Sequence, residues 1–148
     1  MRTVYVDSGF LIALYDETDE HHSSAKDYFV EYFDAIPNKL VVPWPIFFET
    51  ISTRMAKNQK RISMLEKDLK KLKEQQRIEF LNDVDYREKA LEECFKETQK
   101  SRNYRSLSLV DRVIRYMLSD VSLRIDYFIT FNVKDFADVC KKFHRTVI

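Results

Sequence analysis

The sequence has a single glycine, Gly9, among 148 residues. A glycine-rich loop cradling phosphates ahead of Lys-Ser or Lys-Thr is therefore excluded, as is the three-glycine turn of dinucleotide binding. Prolines are scarce too, only Pro37, Pro43 and Pro45, which rules out a Gly/Pro fibre and a low-complexity linker. The two cysteines, Cys94 and Cys140, lie far apart and in no metal-ligand spacing, so buried reduced thiols are expected rather than a disulfide or a zinc site. No apolar stretch approaches the roughly 20 residues that cross a bilayer. The opening MRTVYVDSGF runs into a strand pattern without a signal peptide's apolar segment. A cytoplasmic protein with no membrane partner is expected. What is present, 45% apolar and 33% charged residues, suits a folded chain forming one domain over residues 1–148.

The formal net charge of +1 conceals two segments of opposite sign. Across residues 16–34 seven acids stand against the single Lys26, a stretch that repels a polyanion. Across residues 54–79 nine basic side chains outnumber four acids. A polyanionic backbone can lie along that segment, although the plainer reading is a solvated helix face laced with pairs such as Glu66 with Lys70.

Thr3–Val6 is short, β-branched and aromatic, as suits a central strand buried on both faces. Asp7-Ser8-Gly9 stops it, and a dense apolar helix follows to Tyr15. Ala25, Phe29, Tyr32, Phe33 and Ile36 recur at three- and four-residue steps and predict a helix over 23–35. A strand at 39–42 comes next, with Pro45 placed as the first residue of another helix. The helical region carrying Ile62, Leu65, Leu69 and Leu72 has only a thin apolar stripe, which predicts an exposed arm or one packed on something else. A short edge strand is expected at Ile78–Leu81, then helices at 86–98, with Ala90, Leu91, Cys94 and Phe95 inward, and at 109–118. Strands at 126–130 and 145–148 complete the series. Helices alternating with short strands predict the α/β class, a three-layer α/β/α sandwich with a mostly parallel central sheet.

On this order the acids share a location. Asp7 ends the first strand, Glu49 lies near the start of the helix after the second, Asp111 near the start of the helix at 109–118, and Asn132 with Asp135 follows a later strand. In an open parallel sheet these places converge on the rim at the strands' C-terminal ends, where ligands bind. Gathered carboxylates repel one another unless a cation neutralises them. Oxygen donors without cysteine or histidine suit Mg²⁺ or Mn²⁺. Such ions activate water and offset charge on a phosphate in transfer, the chemistry of metal-dependent nucleases. Each acid also has a plainer local role. Asp7 can cap a helix, Glu49 can complement a helix dipole from the first turn, Asp111 completes the capping box Ser108-x-x-Asp111, and Asp135 can be a turn acid or the cap of a helix begun by Phe136. The signal is the shared rim. An aspartyl-phosphate mechanism, which typically shows Asp-x-Asp, does not suit Asp7-Ser8-Gly9.

Four stretches stand in order along the chain: Val4-Tyr5-Val6-Asp7-Ser8-Gly9-Phe10-Leu11-Ile12-Ala13-Leu14, Pro43 through Glu49, Ser108-Leu109-Val110-Asp111-Arg112-Val113-Ile114, and Ile129-Thr130-Phe131-Asn132-Val133-Lys134-Asp135-Phe136. With Asp19, His21, His22 and Ala25 before the second helix, they resemble the PIN-domain family, most closely its short stand-alone members that act as toxins in toxin-antitoxin systems. The resemblance covers essentially the whole chain. It implies a PIN-like sandwich and an endoribonuclease dependent on Mg²⁺ or Mn²⁺, often a homodimer and often inhibited by a small antitoxin protein whose segment covers the site. It assigns Asp7, Glu49 and Asp111 as the catalytic, metal-holding acids. The fourth position is one that members fill either two residues after the threonine or just before the phenylalanine. Here the former is Asn132, whose carbonyl oxygen can ligate, and the latter is Asp135.

The expected mechanism has these acids positioning one or two ions while water attacks an RNA phosphodiester in line. Ser8 is expected to support a coordinated water or the substrate phosphate, and Thr130 to position the final loop through its hydroxyl; an ordinary turn hydrogen bond is the plain alternative for both. Gly9 either permits a close approach at the metal site or merely starts a helix. Arg54, Lys57, Lys60 and Arg61 are the candidates for contact with the RNA backbone, single-stranded or structured. Tyr15, Trp44 and Phe131 are candidates for base stacking if exposed, and otherwise core. His21 and His22, in an acidic loop, are weak candidates for a general base. The alternative function is a PIN-like RNA-binding or protein-binding module without turnover, its site weakened at Asn132. The 11 Phe, 8 Tyr and 1 Trp offer surface for a partner or a second copy, or simply an aromatic-rich core.

Overall fold

The structure, a computed structural model, describes residues 1–100 and 102–148. Its centre is a wholly parallel sheet of β1 (Thr3–Val6), β2 (Lys39–Pro43), β3 (Ile78–Leu81), β4 (Tyr127–Ile129) and β5 (Thr146–Val147), in the order β3-β2-β1-β4-β5. The helices are α1 (Ser8–Tyr15), α2 (His22–Phe29, continued by a π-helical turn at Val30–Asp34), α3 (Trp44–Thr50), α4 (Thr53–Ala56), α5 (Gln59–Glu74), α6 (Val84–Glu97), α7 (Leu109–Ser119) and α8 (Val133–Lys142). α1 packs with α2, α3 and α5, and α7 packs with α6 and α8. These two helix groups form the outer layers of the three-layer sandwich.

The central strand explains the topology. Val4 and Val6 have no exposed surface and Tyr5 only 4%, so β1 must be covered on both faces and flanked on both edges. It pairs Tyr5 with Val41 of β2 on one side and with Phe128 of β4 on the other. The chain winds from β1 to β2 and β3 in one direction, then returns across the sheet to β4 and β5. The strand order therefore reverses between β1 and β4, the place where an open parallel sheet leaves a crevice at its C-terminal edge.

Scarcity of glycine shows at the helix ends. Gln76 (φ 55°) and His144 (φ 55°) take the left-handed conformation that glycine usually supplies. After α5, Arg77 N–H donates to Leu72 at 2.7 Å and Gln76 N–H to Lys73 at 3.0 Å. After α8, Arg145 N–H donates to Cys140 at 2.8 Å. Each bond closes the helix and turns the chain directly into β3 or β5. Gly9 has no positive φ, and a Cβ there would lie 3.6 Å from Asp7 Oδ1, an ordinary contact. A steric need for glycine at this place is absent.

Several expectations are revised by long-range packing. Of the two readings of α5 the packed one holds: Leu65 and Leu72 are buried, and acids of the 16–34 segment meet its basic side chains. Arg61 reaches Asp16 at 2.9 Å, Lys71 reaches Asp34 at 3.0 Å, and Tyr15 donates to Asp68 at 2.9 Å. Part of the charge that looks segregated along the sequence is thus paired between the two segments, with Asp16 the buried partner. In α6 Ala90 and Cys94 face inward as expected, but the rest of the stripe is Tyr86, Glu93 and Glu97, while Leu91 and Phe95 are 42% and 58% exposed. Glu93 faces α7 because fully buried Arg112 requires a counter-ion: Arg112 donates to it at 2.7 Å, and Tyr116 does likewise at 2.7 Å. Leu109, at the start of α7, is also exposed. Pro45 is the second residue of α3, which begins at Trp44. Both cysteines are free thiols, and burial pushes Cys140 up to about 11. Among the described residues no helix is long and apolar enough to cross a membrane.

Candidate active site

Asp7 follows β1 directly, and its buried carboxylate serves both sides of the crevice. Oδ1 accepts from Phe10 N–H at 2.9 Å, capping α1, and Oδ2 accepts from the hydroxyl of Thr130 at the end of β4. Thr130 Oγ1 in turn accepts from Asn132 N–H at 2.9 Å. The local cap and the candidate catalytic placement thus coexist in one side chain. Burial pushes the Asp7 carboxyl from 3.8 up to about 6; the Thr130 and Phe10 bonds pull it down, and the charges of Asp111 and Glu49 raise it further. That field identifies Asp111 and Glu49 as electrostatic neighbours.

Glu49 stands in the last turn of α3, not the first, because the helix starts at Trp44. A carboxylate there opposes the helix dipole, so complementing that dipole does not account for it. Ser8, at the head of α1, holds it instead: Oγ donates to Glu49 Oε2 at 2.7 Å. Asp111 is in the first turn of α7, with its N–H capped by Ser108 Oγ at 3.0 Å. Burial raises its carboxyl, Ser108 opposes the rise, and Asp135 adds to it. Asn132 is the N-cap residue of α8 and Asp135 lies in its first turn, so Phe136 does not begin that helix. Asn132 Nδ2 donates to Asp135 Oδ2 at 2.6 Å.

Ion pairs are common along the chain, yet among the described residues none involves Asp7, Glu49, Asp111 or Asp135. Four acids on one rim therefore lack a partner cation. Their oxygens, with that of Asn132, make a hard donor set whose chemistry fits Mg²⁺ or Mn²⁺. Their spacing is wider than a finished coordination sphere. Among the described residues no three His, Cys, Asp or Glu side chains form a group that could hold a metal ion. Asp7 and Glu49 are instead tied to Thr130 and Ser8.

The basic candidates separate. Arg54 and Arg61 both pair with Asp16 at 2.9 Å, and Arg61 also reaches Glu17 at 3.3 Å. Lys57 and Lys60 are exposed and make no ion pair among the described residues. Arg77 is buried and donates to the carbonyls of Asn38 (3.0 Å), Phe33 and Ile36 (3.3 Å), bracing the end of the π-helical turn. Of the aromatics, Tyr15 is buried, Trp44 is exposed beside Phe48 and Phe80, and half-buried Phe131 stacks on His21 with ring centroids 4.3 Å apart. His22 lies 2.7 Å from the Ala13 carbonyl, a structural contact.

Sequence reasoning missed the group beside Asp111. Arg105 and Arg115 both bind Asp138, and both donate to the Asp135 carbonyl. The available signal was the spacing: Asp111 and Arg115 stand four apart on one helix, and Asp135 and Asp138 three apart on the next.

No family model matches the chain, and no curated protein does. Among solved structures, VapC20 from Mycobacterium tuberculosis, described as a sarcin-ricin-loop-cleaving toxin, superposes with a TM-score of 0.65 at 17% identity, over 91% of this chain and 94% of that one. VapBC2 from Rickettsia felis, solved with a DNA fragment from its promoter, gives a TM-score of 0.51 at 11% identity, over 99% and 97% of the two chains. At these identities the likeness is one of fold: the sandwich is that of the VapC and VapBC structures.

Proposed function

We propose that this chain is a divalent-metal-dependent endoribonuclease, one PIN-like domain over residues 1–148, and the toxin component of a toxin-antitoxin pair. The observation that carries the reading is the rim. Among the described residues Asp7, Glu49, Asp111 and Asp135 make no ion pair with a cation of the protein's own, and Asp7 is buried with its proton affinity raised. The fold shared with a toxin described as cleaving the sarcin-ricin loop supports the substrate class. Asp7, Glu49 and Asp111, joined by Asp135 and Asn132, would hold one or two Mg²⁺ or Mn²⁺ ions. Such an ion, when bound, lowers the pKa of water and offsets charge building on a phosphate.

The protein's own residues do the rest. Thr130 fixes the Asp7 carboxylate across the β1–β4 crevice, and Ser8 keeps Glu49 at the head of α1. Lys57, Lys60 and the exposed Arg54 would draw the RNA backbone toward the rim, with Arg61, 11% exposed and held by Asp16 and Glu17, adding its charge from beneath. Partners in this reading are RNA, a small antitoxin protein and a second copy of the chain, in a cytoplasmic setting. The second reading, a module that binds RNA or protein without turnover, has the separated carboxylates in its favour.

The test is cleavage of a mixed RNA pool, single-stranded and structured, in Mg²⁺ and in Mn²⁺, by the wild type beside folded Asp7→Asn and Asp111→Asn variants. The nuclease reading expects chelator to abolish cleavage and each variant to lose roughly 100-fold or more. Equal cleavage by all three proteins, or none by the wild type in either metal, overturns it in favour of the binding module.

A further inference from the structure

Arg115 lies four residues after Asp111 on α7, the spacing at which an acid and a base share a helix face and pair. Among the described residues the two make no ion pair. Arg115 turns instead to Asp138 on α8, with Nη1 2.7 Å from Oδ1 and Nη2 2.8 Å from Oδ2, the bidentate fork that makes the strongest arginine–carboxylate contact. Its Nη1 also donates to the Asp135 carbonyl at 2.7 Å. Arg105, from the segment before α7, reaches the Asp138 carboxylate at 3.1 and 3.4 Å and the Asp135 carbonyl at 3.3 Å. A carboxylate outside the rim thus takes up two guanidinium groups that stand beside it.

We propose that Asp138 is a positioning residue that holds Arg115 and Arg105 away from Asp111 and Asp135, keeping those carboxylates unpaired and open to a divalent cation. This rests on the metal-nuclease reading. The physical case is one of competition. An arginine forked onto Asp111 is a permanent counter-ion within the chain, and a metal ion must displace it before binding. Arg115 is close enough for its charge to act on Asp111 already. The two arginines, Arg115 foremost, hold the Asp138 carboxyl well below the usual carboxylate range, so it stays charged and competes with Asp111 at neutral pH.

The experiment measures Mn²⁺ affinity, from the paramagnetic resonance of unbound Mn²⁺, for full-length wild type, Asp138→Asn, Arg115→Gln and the double variant, each verified as folded by circular dichroism. Freed from Asp138, Arg115 is expected to swing onto the rim, so Asp138→Asn weakens Mn²⁺ binding by roughly 10-fold or more. Arg115→Gln binds as tightly as the wild type or tighter, and the double variant regains most of the loss. If the fork is only a brace between α7 and α8, all three variants weaken alike and the inference is overturned. Equal binding by wild type and Asp138→Asn overturns it too, with the nuclease reading intact. A wild type that binds no Mn²⁺ overturns the metal reading and this inference together. Should Asp138→Asn fail to fold, Arg115→Gln decides: weaker binding overturns, equal or tighter binding supports.

Discussion

Replacing Asp7 by asparagine is expected to stabilise the metal-free protein near neutral pH while removing its activity. Burial raises the Asp7 carboxyl from 3.8 to about 6 in the folded chain, so folding takes up a proton in that interval. The contribution is fully present below the lower value and lost as the pH rises through the upper one. A shift of roughly two units at about 1.4 kcal/mol each amounts to about 3 kcal/mol that the wild type gives up above neutrality and an amide does not. Against this, the substituted amide can accept from Phe10 N–H but no longer offers Thr130 a carboxylate oxygen, a loss of about 1 kcal/mol. The net is a gain of about 1–2 kcal/mol at neutral pH, worth roughly 2–8 °C in a chain of this length, and a small loss in acid. Thermal and urea unfolding of both proteins in chelator, from about pH 4 to about pH 8, reads this directly. A stability difference that stays constant over that range refutes the reasoning, because it means that Asp7 titrates alike in the folded and unfolded chain.

Two further perturbations test the elements that support the site. Thr130→Val keeps the shape but removes the bond to Asp7 and the acceptor for Asn132 N–H; a loss of about 1–2 kcal/mol is expected. The Asp7 carboxyl should then rise above its present value, extending the pH-sensitive interval upward, which unfolding across the same pH series will show. Glu93→Ala strands Arg112, whose side chain is fully buried and whose Nε has no hydrogen-bond partner among the described residues. The expected cost is about 3 kcal/mol, at the lower end for a broken buried pair because water can reach the half-buried Glu93 position. An unchanged midpoint in urea shows that the pair contributes nothing.

The elements themselves were legible because they are written in local periods and caps. The run Val4-Tyr5-Val6 has no polar alternate, which marks a strand covered on both faces, whereas Ile78–Leu81, interrupted by Glu79, and the short C-terminal strand read as half-covered edge strands, as they are. Strand followed by helix, repeated, fixed the parallel sandwich class, and with it the rim where Asp7, Glu49, Asp111 and Asp135 fall. Asp7 and Ser108 cap their helices as their types and spacings foretold. Helix ends needing a left-handed residue were harder to place, because Gln76 and His144 stand where glycine gives the usual signal.

What the sequence could not contain is which distant side chain answers which. Charge patterning marked residues 16–34 and 54–79 as opposite in sign, but only the docking of α5 beside α1 turned Arg61 toward Asp16 and Lys71 toward Asp34 of the π-helical turn. α6 turns Glu93 to the buried arginine on α7 and leaves its own Leu91 and Phe95 42% and 58% exposed, a contact across helices that the apolar period of α6 does not encode. Asp111 and Arg115 are spaced to pair, and only the approach of Asp138 on α8 decided that they do not. A sequence determines the period of each element and the ends of the strands, because those depend on neighbours within a turn or two. The partners of its charges belong to the tertiary structure, because a charge settles with whichever opposite group the packing brings nearest in the least water.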